Sequence, residues 1–195
     1  MDSSSPIDIA IAHHQAGRLA PAKRLYLQIL QSSPQHADAL HLLGLVFHQL
    51  GENQTAIDYM KRAVAIRPNA ATFLTNLGAV YQAVGDFRNA VTSCRRAVHL
   101  NPRDAKAYFN LGCAYQALGR LDDAVANYRS AVRIKPDYTE AHLNLGNSLK
   151  DQGRLEDAVT SYKRAIQIRG DGAKLHNKLE SVLRDIGLPA EGMAM

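Results

Sequence analysis

The chain has 195 residues, 46% of them apolar and 21% charged, with a net charge of +5. That apolar share excludes intrinsic disorder, and no run of about 18 uncharged apolar residues exists to span a membrane as a helix. Two cysteines, Cys94 and Cys113, are too few for a disulfide framework and point to a reducing, cytoplasmic setting, and the opening MDSSSPIDIAIAHHQ lacks the features of a secretory signal.

Glycine, proline and alanine set the organisation. Gly17, Gly51, Gly85, Gly119, Gly153 and Gly187 are spaced by 34 residues, and Gly44, Gly78, Gly112 and Gly146 form a second ladder of the same step. Pro34, Pro68, Pro102 and Pro136 make a third. Ala22, Ala56, Ala90, Ala124 and Ala158 make a fourth, and Ala63, Ala97, Ala131 and Ala165 a fifth. A fixed 34-residue period marks a repeat array. The units are 3–36, 37–70, 71–104, 105–138 and 139–172, with no insertion between them.

In chain order, the first unit departs most: Ala10 stands in the glycine column, Ile29 in the second alanine column, and Pro21 falls early in the second helix, where a first turn tolerates it. The fourth unit shows the pattern most clearly. Its first helix carries Tyr108, Leu111, Tyr115 and Leu118 at helical spacing and ends at Gly119, which takes a left-handed cap at least cost. Its second helix carries Leu121, Ala124, Val125, Tyr128, Ala131, Val132 and Ile134, and Pro136 stops it. Gly112 is expected to face Ala124 and Ala131, letting the two helices approach closely. The fifth unit ends in Gly170-Asp171-Gly172 in place of proline. Residues 173–187 then read as one more amphipathic helix, with Leu175, Leu179, Val182, Leu183 and Ile186 inward and Lys174, Lys178, Glu180, Arg184 and Asp185 outward, which suits a solvating end-cap. Residues 188–195 read as a frayed tail.

Leu111, Gly112, Tyr115, Ala124, Tyr128 and Pro136 follow the pattern of the tetratricopeptide repeat family, which the chain resembles over residues 3–172. Tyr108 replaces the family's tryptophan. The resemblance implies an all-α fold: a right-handed α-solenoid, or superhelix, of antiparallel helix pairs, with five 34-residue repeats plus a C-terminal capping helix. It also implies a binding scaffold whose first helices line a concave groove.

Signs of catalysis are missing. The sequence has no Walker loop, no H-E-x-x-H, no C-x-x-C and no G-x-S-x-G, so we expect no enzyme activity and no cofactor. Asp122-Asp123 and Glu156-Asp157 occupy helix first turns, where carboxylates complement the helix dipole. Cys94 takes the place of Met60 and Tyr128 in the second-helix core, and Cys113 reads as groove wall. His14, His41 and His48 share one end of the inner surface at a spacing too wide for a metal site, so no metal is expected. Lys61, Arg62, Arg95, Arg96, Arg129, Lys163 and Arg164 form an outer, convex ridge. Nothing aromatic interleaves it and acidic residues offset it, so no nucleic-acid partner is expected.

The concave face is the expected binding surface. Asn76, Asn110 and Asn144 head three Asn-Leu-Gly triplets, and each amide can pair both polar groups of a peptide unit or, alternatively, cap or cross-link neighbouring helices. Thr75, Gln82, Phe109, Gln116, Asn147 and Lys150 surround this ladder, with His41 and His48 toward the N-terminus. The expected partner is a protein or an extended peptide; self-association stays open. The triplets and residues 140–159 are similar to the repeat arrays of O-linked N-acetylglucosaminyltransferases and their bacterial relatives. That likeness gives the alternative of a substrate-presenting portion of such an enzyme, whose catalytic domain is not in this sequence. The carboxylate clamp of chaperone-binding members is disfavoured. Its lysine phase reads Ile7, His41, Thr75, Phe109 and Leu143, and only isolated members such as Lys106 and Asn147 match.

Overall fold

The computed structural model describes residues 5–169 and 173–187. The expected end of the fifth repeat at Gly170-Asp171-Gly172 and the tail at 188–195 lie outside them. The described residues form eleven α-helices: α1 (Pro6–Gln15), α2 (Leu19–Ser32), α3 (Ala37–Gln49), α4 (Asn53–Ile66), α5 (Ala71–Ala83), α6 (Phe87–Leu100), α7 (Ala105–Ala117), α8 (Leu121–Ile134), α9 (Thr139–Asp151), α10 (Leu155–Arg169) and α11 (Ala173–Asp185). The fold is all-α, and helices α1 to α10 pack as consecutive antiparallel pairs.

The turn within each pair is set by one backbone requirement. At the end of α7, Gly119 has φ +73°; its N–H bonds the Gln116 carbonyl and the Arg120 N–H bonds the Tyr115 carbonyl, both at 2.9 Å. That is the two-bond Schellman closure, which needs a left-handed residue and hence glycine. Arg120 then serves as the N-cap of α8. Second helices end differently. In α4, α6 and α8 the last helical residue lies two before Pro68, Pro102 and Pro136, because proline lacks the N–H and disfavours helical backbone before it.

The chain falls into two compact units, Met1–Asn101 and Pro102–Met195. In the first, α2 packs on α3 and α4 on α5, around a core that includes Tyr26, Leu43, Val46, Met60, Leu77 and Val80. In the second, α8 packs on α9 and α10 on α11, around Leu111, Tyr128, Leu145, Leu149, Tyr162, Leu179 and Val182. Burying a side chain of this size stabilises by about 1.5–3 kcal/mol, so α11 is held by Leu179 and Val182, both fully buried.

One packing expectation needs correction. Gly112 meets the ring of Tyr128 and does not simply face Ala124 and Ala131; a Cβ there would lie 2.6 Å from a Tyr128 ring carbon. Position 128 shares a helical stripe with the two alanines, and its ring is the larger body. The same column brings Gly44 against Met60, Gly78 against Cys94 and Gly146 against Tyr162. The outer arginines also do more than solvate. Arg96 donates to the Pro68 carbonyl at 2.5 Å, and Arg62 approaches the Pro34 carbonyl at 3.5 Å, so each reaches back to the preceding turn.

Candidate functional site

In the second unit, the glycine of the first helix makes room for a tyrosine from the second. The Tyr128 ring passes Gly112 and its hydroxyl donates to Gln116 Oε1 at 2.8 Å; the Tyr162 ring passes Gly146 and its hydroxyl donates to Asn147 Oδ1 at 2.9 Å. Burial raises both phenol pKa values, that of Tyr162 to about 12 with help from the Asp151 carboxylate. Both therefore stay neutral donors.

These hydroxyls sit beneath a row of polar side chains from α7, α9 and α11. Gln116, Asn147 and Lys150 line an open cleft of about 570 Å³ together with Asp151, Tyr162, Asn177, Lys178 and Ser181. Lys178 Nζ donates to Asn147 Oδ1 at 3.0 Å, and Lys150 Nζ donates to Ser181 Oγ at 3.0 Å while pairing with Asp185 at 3.5 Å. The cleft thus presents two ammonium groups, a carboxylate and several amides, with Gln116, Asn147, Lys150 and Lys178 each already oriented by a neighbour. Such a surface can pair backbone carbonyls and anionic side chains.

The asparagine ladder is partly occupied with its own protein. Asn76 Nδ2 lies 3.1 Å from His41 Nε2, and Asn144 Nδ2 donates to Cys113 Sγ at 3.6 Å, each reaching one repeat back. Asn110 is only 7% exposed. The Asn76 and Asn144 amides therefore cross-link neighbouring first helices. Thr75 is 2% exposed and bonds the Ala71 carbonyl of its own helix, and His41 is 4% exposed and stacks on Phe73. Both side chains are therefore almost wholly buried. Gln82 is half-buried and approaches the Gly78 carbonyl at 3.5 Å, and Phe109 packs on Tyr128 and Tyr138.

The three histidines have separate employments. His48 Nδ1 lies 2.7 Å from Asn53 Oδ1, and His14 Nε2 lies 3.1 Å from Gln49 Oε1. Among the described residues, no three His, Cys, Asp or Glu side chains converge as metal ligands, and no helix is long and apolar enough to cross a membrane. Burial pushes the Cys113 thiol pKa up, which disfavours the thiolate that nucleophilic chemistry needs.

The family model described as the C-terminal domain of cilia and flagella-associated protein 70, a tetratricopeptide domain, matches residues 2–187. The chain belongs to that family. Solved structures agree on the fold. The crystal structure of MamA is 28% identical with a TM-score of 0.77, covering 86% of this chain and 98% of its own. PilF of Pseudomonas aeruginosa is 20% identical with a TM-score of 0.84, covering 93% and 83%. YrrB, described as a tetratricopeptide protein with an unusual peptide-binding site, is 23% identical with a TM-score of 0.74, covering 94% and 91%. No curated protein matches the chain. These likenesses carry the tetratricopeptide assignment and not the narrower one to glycosyltransferase arrays.

Within this tetratricopeptide domain, Asp151, Tyr162, Asn177, Lys178 and Ser181 are the cleft residues that sequence reasoning missed. A signal existed. Lys178 falls 34 residues after Asn144 and Ser181 falls 34 after Asn147, so α11 continues the groove-facing phases of α9. Reading α11 only as a cap hid them.

Proposed function

We propose that this tetratricopeptide domain is a non-catalytic protein-interaction scaffold that binds an extended peptide or partner segment along the first-helix face of its units. One observation carries the reading. Three of the side chains that the repeat phase assigns to the groove, Gln116, Asn147 and Lys150, line a single cleft with the matching phases of α11. First helices pack roughly 10 Å apart, about three residues of extended chain at ~3.3 Å each, so successive helices meet a bound backbone at a regular interval. The description of YrrB as a peptide-binding tetratricopeptide protein supports the same use of the fold.

The test starts from a partner captured from the native lysate and mapped to a minimal peptide. Calorimetry then compares wild type with a Gln116→Ala, Asn147→Ala, Lys178→Ala triple variant and with a convex-side Arg95→Glu, Arg129→Glu variant. Each lost neutral hydrogen bond costs about 0.5–1.5 kcal/mol, so the groove variant should bind tenfold or more weakly and the convex variant normally. The opposite pattern would replace the groove with the charged outer ridge.

For location, two free thiols, Cys94 and Cys113, support a cytoplasmic protein. The name of the matched family adds cilia and flagella as the assemblies in which to look for a partner. Imaging of the tagged protein in its native cell decides between a diffuse and an axonemal distribution.

A further inference from the structure

In the first repeat, the tyrosine of the second helix lacks what the fourth and fifth repeats supply. Tyr26 on α2 holds the repeat position of Tyr128 and Tyr162. It is fully buried, and its hydroxyl has no hydrogen-bond partner. The positions that receive the other two hydroxyls, Gln116 and Asn147, correspond to His14 and Ile11. Ile11 offers no acceptor. His14 directs Nε2 to Gln49 Oε1 and meets the Tyr26 ring edge-on at 6.1 Å. Folded proteins keep few buried hydroxyls unpaired, because each has given up water without replacement.

Although it belongs to the core, Tyr26 borders an open cleft of about 370 Å³ with Ile11, His14, Gln15, Leu42 and Gln49, at the lower end of the size range for small-ligand sites. No lysine, arginine, aspartate or glutamate lines it, in contrast to the cleft bearing Lys150, Asp151 and Lys178. A charged group would lose its water there without a counter-charge, so the lining selects a neutral ligand. Ile11 and Leu42 supply apolar walls, and the phenol, with its pKa raised to about 12 by burial, is a donor in need of an acceptor. An amide carbonyl beside an aliphatic side chain matches both features.

We propose that the cleft between α1 and α3 is a subsite for one aliphatic residue of an extended peptide, whose side chain lies between Ile11 and Leu42 and whose backbone carbonyl accepts a hydrogen bond from Tyr26. The subsite rests on the groove reading above and adds the class of residue taken at the first repeat.

The probe is N-acetyl-leucine N-methylamide, titrated into the full chain and followed by amide NMR shifts, with the aspartate and lysine analogues as charged controls. The leucine probe should shift resonances on α1 and α3, and the charged probes should not. Tyr26→Phe removes only the unpaired hydroxyl. It should raise the melting temperature and weaken the probe roughly threefold to tenfold, whereas Tyr162→Phe, which removes a paired hydroxyl, should lower the melting temperature. Ile11→Asn supplies the acceptor found in the fifth repeat and should abolish probe binding. A lower melting temperature for Tyr26→Phe, unchanged probe affinity in that variant, or equal binding of the charged probes overturns the subsite. A chain that binds the leucine probe but no longer peptide keeps the subsite and overturns the groove reading. The reverse result overturns the subsite alone.

Discussion

A single missing methyl group decides how two helices meet. At Gly112 a Cβ would press 2.6 and 2.7 Å from two ring carbons of Tyr128, so Gly112→Ala should cost about 1–3 kcal/mol in urea unfolding. Adding Tyr128→Phe should not relieve it, because phenylalanine keeps the same ring. Gly119→Ala fails for another reason: nothing lies within 4 Å of the site, but φ +73° is strained for any side chain, at about 1–2 kcal/mol. His142 gives a pH prediction. Burial, opposed by its bond to the Pro136 carbonyl and aided by the nearby Arg164 charge, lowers its pKa below the ordinary value near 6.5. The unfolded chain therefore takes up this proton more readily. The stability that His142 contributes is full above pH 6.5 and is lost as pH falls through the lower folded value. Melting temperatures measured from pH 7.5 to 5 should fall, and His142→Gln should flatten that dependence.

Elements were legible where the backbone itself imposed the residue. Positive φ demands glycine and a helix stop favours proline, so the ends of α3 to α8 could be read from two columns. Side-chain destinations were less legible because they depend on rotamers and on neighbours 28 to 35 residues away. Asn76 and Asn144 read from sequence either as ligand groups or as links between helices, and their amides reach the preceding repeat. Arg96 looked like solvated surface and holds the Pro68 carbonyl. Helix α11 combines both lessons: its apolar column marked it as a cap, while Lys178 and Ser181 on its polar side complete the cleft. Removing residues 173–195 would uncover the apolar side of α10, so light scattering should detect association of the truncated protein.

At the scale of the whole molecule, the 34-residue period is regular, yet the chain divides after Asn101 into two compact units. Nothing in the sequence marks that place. Pro102 stands in the same column as Pro68 and Pro136, and its neighbours follow the common pattern. The division depends on packing summed over many residues, which no single position records. Each unit should answer separately to a local lesion. Gly78→Ala in the first unit and Gly146→Ala in the second should each lower hydrogen-exchange protection mainly within their own unit.

The Schellman joints carry a consequence for how such a chain can change length. Arg120 is at once the residue that closes α7 and the residue that opens α8, so the joint holds no slack. One residue added inside α7 would turn every later side chain of that helix by about 100°, swinging Gly112 off the tyrosine and Gln116 away from the cleft. Growth that keeps both alignments comes only in steps of a full period. The array can be lengthened or shortened like a chain of links, by whole links, and the chemistry offered to a partner changes one register at a time.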